Sequence, residues 1–192
     1  MSQVKNNNII PEMNRRQLLK AGLFASLVCL NPVPAWARFD LNGTEVRTLS
    51  LYNTHTGETL RKVPYWEQGA YLKDALSEIN VLLRDHRVDD VKAIDPNAID
   101  LLFTLQHKFD CDCPIEIISG YRSPATNAKL SNKSNGVAKR SYHMQGKAID
   151  LRIPDVPLKM LYKASLELKR GGVGYYPKSN FVHVDTGPVR TW

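Results

Sequence analysis

Six residues in the C-terminal third, Ala148-Ile149-Asp150-Leu151-Arg152-Ile153, constrain the fold more than any other stretch. Their polarity alternates with a period of two, the period of a β-strand. Ile149, Leu151 and Ile153 then point into a core, while Asp150 shares the opposite face with Ala148 and Arg152. A carboxylate among such neighbours is costly unless it is paired or bound to a metal. Two partners are at hand in the sequence. His143 precedes Asp150 by seven positions across Gly146, and His183 lies in the run Phe181-Val182-His183-Val184-Asp185, a second strand candidate. Two imidazole nitrogens and one carboxylate oxygen form a donor set that zinc accepts, with a fourth position open, as in catalytic rather than structural sites. Such an ion brings bound water toward a neutral pKa and polarises a carbonyl. Taken singly, His143 also reads as a loop histidine and Asp150 as an arginine partner.

The rest of the chain from about residue 44 reads as one α+β domain. Residues 46–53 and 58–64 alternate in polarity around Thr54-His55-Thr56-Gly57, a hairpin signal. Residues 69–87 carry Leu72, Leu76, Ile79, Leu82 and Leu83 at helical spacing. Asp95-Pro96 is a cap followed by a first-turn proline, opening a helix with Ile99, Leu102, Phe103 and Leu105 on its apolar side. Pro114 to Tyr121 reads as a strand, Ser123-Pro124 starts a short helix, and residues 132–140 read as loop. Residues 157–170 predict a helix stopped by Gly171-Gly172. Gly174-Tyr175-Tyr176 and Phe181 to Asp185 predict two antiparallel strands joined by Pro177-Lys178-Ser179-Asn180. No regular βαβ alternation is present, so a small antiparallel sheet with helices packed on one side is expected. Tyr175, Tyr176 and Phe181 read either as core or as a groove lining, and His55, His86 and His107 as solvated or capping residues.

With 192 residues, 43% hydrophobic and 23% charged, the chain is globular and near the size of one domain. The first 37 residues read as an address. Asn14-Arg15-Arg16-Gln17-Leu18-Leu19-Lys20 leads into an apolar run ending at Leu30, and Ala35-Trp36-Ala37 is a small-x-small cleavage site. The paired arginines resemble a twin-arginine signal, with an ordinary secretory signal as the alternative. The apolar run is too short to span a bilayer, so no stable membrane span is expected in the mature chain, residues 38–192. Of the formal charge of +7, a surplus of three belongs to this leader. The remainder is mildly basic without a Lys/Arg block, which excludes nucleic acid as the expected partner and suits a polyanionic wall. Cys29 leaves with the leader. Cys111 and Cys113 read as incidental: a strained disulfide, free thiols or half of a soft-metal site.

The stretch Ser141-x-His143-x-x-Gly146-x-Ala148-x-Asp150 followed by His183 resembles the zinc-dependent D-Ala-D-Ala peptidase, lysostaphin and hedgehog-like group. The likeness extends to Ile118-Ser119-Gly120-Tyr121-Arg122-Ser123 and covers roughly residues 114–187. With Gly171-Gly172-Val173-Gly174-Tyr175-Tyr176 and Asn180-Phe181-Val182-His183, the chain is most similar to the murein endopeptidase K family. The resemblance implies that His143, Asp150 and His183 are ligands of Zn2+, and that Arg122 holds a substrate carboxylate or polarises the reacting carbonyl. A guanidinium suits either task, although Arg122 also reads as a turn residue pairing with a surface acid. Better-known relatives carry a catalytic Glu, Asp or His two or three residues before the last zinc histidine. Here those positions are Phe181 and Asn180. Asp185 is the candidate replacement, either as the base that moves the proton or as the partner that orients His183. The resemblance further implies a periplasmic zinc metallopeptidase acting on peptidoglycan peptide stems. Its expected target is a D-Ala–diaminopimelate or diaminopimelate–diaminopimelate cross-link. A non-catalytic, metal-stabilised peptidoglycan-binding protein and a D,D- or L,D-carboxypeptidase are the alternatives.

Overall fold

The computed structural model describes residues 46–133 and 137–192. The expected leader, its cleavage site and Cys29 lie outside the described residues. The hairpin forms as the alternation predicts: β1 (Val46–Asn53) pairs antiparallel with β2 (Thr59–Glu67), Leu51 facing Leu60. Two glycine-like turn conformations at Gln68 (φ 47°) and Gly69 (φ 87°) bring the chain back as β3 (Ala70–Tyr71). Helix α1 therefore runs only over Lys73–Leu82, shorter than the leucine spacing over residues 69–87 predicts. Leu83 still packs in the core, but its carbonyl accepts the backbone N–H of Tyr121 at 2.7 Å instead of continuing the helix.

Helix α2 (Pro96–Lys108) begins where Asp95-Pro96 places it, the Asp95 carboxylate accepting the Asn97 N–H at 3.0 Å. Strand β4 (Ile115–Ser119) and helix α3 (Pro124–Lys133) follow, then a 3-10 turn at Tyr142–Gln145 and β5 (Ala148–Arg152). Helix α4 (Leu158–Leu168) ends on Lys169 in the left-handed region (φ 50°), not on glycine. Gly171 and Gly172 are instead needed for close packing. A Cβ on Gly171 would run into the backbone carbonyl of Asp185, and Gly172 already belongs to β6 (Gly172–Tyr176). A 3-10 turn (Pro177–Ser179) joins β6 to β7 (Phe181–Asp185), and β8 (Arg190–Thr191) closes the edge.

The sheet is larger than expected, and mixed. Eight strands run in the order β3-β2-β1-β4-β5-β7-β6-β8, parallel at β1/β4 and β6/β8. The β1-to-β4 connection includes α1 and α2, the kind of long crossover that parallel pairing requires. Leu49, Leu51, Ile115, Ile117, Ile149, Leu151, Val182 and Val184 share one core with Ile79, Ile99, Leu102, Leu105 and Leu161 of the helices. Fully burying one such side chain is worth about 1.5–3 kcal/mol. Helices α2 and α4 pack on this sheet and on each other. Among the described residues no helix is long and apolar enough to cross a membrane.

Cys111 and Cys113 are joined in a disulfide with Cα atoms 5.2 Å apart. They lie in the irregular link between α2 and β4, where the backbone bends enough to bring the pair within reach; an extended strand holds such residues farther apart.

Candidate metal centre

Strand register assembles the centre. In the antiparallel pair β5/β7, Asp150 stands directly opposite His183, and in β4/β5 Ser119 stands opposite Asp150. Because successive side chains alternate, Ile149, Leu151, Val182 and Val184 go to the core while Asp150, His183 and Asp185 share the other face. His143 arrives from the 3-10 turn. Ser141 caps that turn by accepting the His143 N–H, and Gly146 ends it in the left-handed region (φ 68°). A side chain at Gly146 would also run into the carbonyl of Ala93, so only glycine passes here.

The three predicted ligands converge. Asp150 Oδ1 lies 2.8 Å from His183 Nδ1 and 3.2 Å from His143 Nε2, and the two ring nitrogens are 3.2 Å apart. Tetrahedral zinc with ligands at about 2.0–2.2 Å sets neighbouring donor atoms roughly 3.3 Å apart; two of the three separations are already 3.2 Å, and the 2.8 Å one would open by about half an ångström to hold that ion. The outward nitrogens are already used. His143 Nδ1–H donates to the Gly120 carbonyl at 2.7 Å, and His183 Nε2–H donates to Asp185 Oδ2 at 3.1 Å. Each histidine thus turns the nitrogen facing Asp150 toward the common point, as metal-bound histidines do.

The electrostatics agree. Burial alone pushes the Asp150 carboxyl up, but the charge of His143 and the hydrogen bonds from both histidines outweigh it and hold the group well below the usual carboxylate range. Burial lowers His183, yet its bonds to Asp150 and Asp185 prevail and raise it to about 9. A positive charge is favoured between these carboxylates, and a divalent cation supplies one.

Arg122 sits at the same place. It is buried, with Nη1 3.3 Å from Asn127 Oδ1, Nη2 3.4 Å from Ser119 Oγ and Nη2 3.8 Å from Asp150 Oδ2. Its Nε–H is buried without a hydrogen-bond partner among the described residues. Arg122, Ser141, His143, Asp150 and His183 line a pocket of about 830 Å³ that also takes in Tyr142, Arg140, Tyr176, Phe181, Arg190 and Trp192. Of the aromatics left open by the sequence, Tyr176 and Phe181 stack on each other and line this pocket. Tyr175 packs against the core and Tyr162. The remaining histidines lie outside the group: His55 stacks on His86 at 4.3 Å, and His107 stacks on Phe103.

Asp185 is held away from the pocket. Its side chain has 0% exposure, and it accepts from Gly172 N at 3.0 Å, Gly187 N at 2.8 Å and both terminal nitrogens of Arg190, besides His183. The sequence reading missed Arg190 and Trp192. Gly187-Pro188 is a turn signal that returns the chain toward β6, but nothing in a spacing of five residues from Asp185 marks Arg190 as its partner.

The family model described as peptidoglycan L,D-endopeptidase MepK matches residues 42–192. Proteins named peptidoglycan L,D-endopeptidase MepK from Escherichia coli (strain K12) and Shigella flexneri are 44% identical over 181 residues, 94% of this chain and 98% of theirs. One named probable peptidoglycan L,D-endopeptidase MepK from Haemophilus influenzae is 41% identical over 182 residues, 94% of this chain and 96% of its own. On the strength of a match that spans the whole sheet and all three converging side chains, this chain belongs to the MepK family of peptidoglycan L,D-endopeptidases.

Proposed function

We propose that this chain is a zinc-dependent peptidoglycan L,D-endopeptidase, exported by its first 37 residues and active in the periplasm as residues 38–192. The observation that carries the metal reading is the meeting of His143 Nε2, Asp150 Oδ1 and His183 Nδ1 within 3.2 Å of one another beside an open pocket. The relatives' names carry the reaction class. Of the two cross-links expected from the sequence, the diaminopimelate–diaminopimelate bond joins an L-centre to a D-centre and is the assigned target.

His143, Asp150 and His183 would hold the ion. Bound there, zinc supplies Lewis acidity toward a carbonyl and toward water. Arg122 adds a fixed positive charge to the pocket lining, suited to the carbonyl oxygen on which charge develops or to a neighbouring substrate carboxylate. Tyr176, Phe181 and Trp192 form an aromatic wall that positions the stem peptide and limits water. Asp185 acts through His183, fixing the ring so that Nδ1 faces Asp150. Of its two expected roles this is the one its enclosure supports, since a carboxylate with no exposed surface and every lone pair engaged is poorly placed to collect a proton from the pocket.

Chromatographic profiling of cross-linked muropeptides tests the reading. Wild type is expected to convert dimers to monomers, a chelator to stop it, zinc to restore it, and His183→Ala to be inactive throughout. Cleavage that survives chelation overturns the mechanism. A zinc-loaded wild type that binds murein but releases no fragments moves the assignment to a binding protein, and trimming of free stems alone moves it to a carboxypeptidase.

A further inference from the structure

Arg190 occupies β8, where the parallel register sets it opposite Gly172 of β6. Its guanidinium grips Asp185 with both ends: Nη2 donates to Oδ2 at 2.6 Å and Nη1 to Oδ1 at 3.1 Å. The surroundings are shaped for this grip. A Cβ on Gly172 would lie 2.5 Å from Arg190 Nη1 and 2.6 Å from Asp185 Oδ2, so the strand gives up a side chain to admit the pair. The cation also stands 5.2 Å from the Tyr142 ring centre and 4.9 Å from that of Trp192, and Nη1 donates to the Pro188 carbonyl at 3.0 Å. Through Asp185 the chain of contacts continues to His183 Nε2 at 3.1 Å and ends at Nδ1, 2.8 Å from Asp150.

We propose that Arg190 is a positioning residue of the metal centre: by clamping the Asp185 carboxylate it fixes the His183 ring with Nδ1 turned to the cation. The inference rests on the metal reading above. The physical reason is geometric. The N–H groups of Gly172 and Gly187 hold only Oδ1, which leaves Oδ2 to His183 alone and free to swing with it, whereas a bidentate guanidinium fixes both oxygens in one plane. Outer partners of ligating histidines are typically worth about 10–100-fold in metal affinity. Arg190 also lines the pocket, so a direct contact with substrate is the competing role.

A double-mutant cycle separates the two. Zinc affinity is measured by competition with a chromophoric chelator on purified wild type, R190A, R190K, D185N and R190A/D185N, each checked by circular dichroism. R190A is expected to bind zinc about 10–100-fold more weakly. R190K is expected to fall in between, because an ammonium restores the charge but not the fork. The double variant is expected to bind no more weakly than D185N alone, because Arg190 acts only through Asp185. A folded R190A with wild-type zinc affinity, or losses that multiply in the double variant, overturns the inference while leaving the metal reading intact. Wild type that binds no zinc overturns both. If R190A does not fold, R190K and R190K/D185N decide by the same criteria.

Discussion

Asp150 shows how much one side chain can carry. It is buried, within 3.2 Å of two imidazole nitrogens and 3.8 Å from Arg122, so it is at once a ligand candidate and the counter-charge of the site. Asp150→Asn preserves the shape and removes the charge. Loss of bonds to charged groups at a buried position costs about 1–3 kcal/mol. Urea unfolding of the chelated variant is therefore expected to show that drop, and titration with zinc to show no tight binding. Wild-type zinc affinity in Asp150→Asn would contradict the ligand assignment. The acid and its imidazole partners were legible from residue type and strand alternation. Arg190 was not, because its role depends on a return turn whose length no periodicity encodes.

The elements show a similar division. Strands β1, β5 and β7 and the cap of α2 lie where alternation and Asp95-Pro96 put them, and β4 lies within the β-branched stretch from Pro114 to Tyr121. Helix α1 is shorter than its leucine spacing because Leu72 and Leu83 pack on the core from just outside the helix, and apolar spacing reports burial rather than backbone conformation. The link after α1 is organised by Asp85. Its carboxylate accepts the Ser123 N–H at 2.9 Å and the Arg87 N–H at 3.2 Å, tying residues 85–87 to the turn that bears Arg122. Burial raises the Asp85 pKa, but hydrogen bonds from Thr126, Ser123 and Arg87 outweigh that and leave it lowered. A depressed carboxyl stabilises the fold fully above its unfolded value, about 3.9, and the contribution is lost as pH falls through the folded value. Denaturation at pH 7 is expected to show Asp85→Asn less stable by about 1–3 kcal/mol. The gap to wild type should narrow steadily below about pH 4. A gap that stays constant to pH 2.5 would remove Asp85 from the acid response.

For the molecule as a whole, the candidate ligands come from three separate pieces of chain: the 3-10 turn, β5 and β7. An unfolded chain does not hold them together, so zinc is expected to bind the native state alone and to raise its stability by mass action. At 100-fold excess over the dissociation constant this amounts to about 2.7 kcal/mol. For a chain of this size it is a rise of roughly 5–10 °C in melting temperature. Differential scanning calorimetry with and without zinc measures it, and His143→Ala is expected to show no rise. An equal rise in His143→Ala would place the stabilising ion elsewhere. Side-chain order along the chain determined that β5 and β7 have an apolar face and a polar one, and that Asp150, His183 and Asp185 occupy the polar face. Only the tertiary structure decided which atoms meet. Register sets Asp150 against His183 across 33 residues, an antiparallel partner with β6 brings Gly172 beneath Asp185, and the final turn delivers Arg190. Periodicity records which way a side chain points, because that is a local property of the backbone. Its partner is chosen by segments distant in sequence, and their meeting leaves no periodic trace.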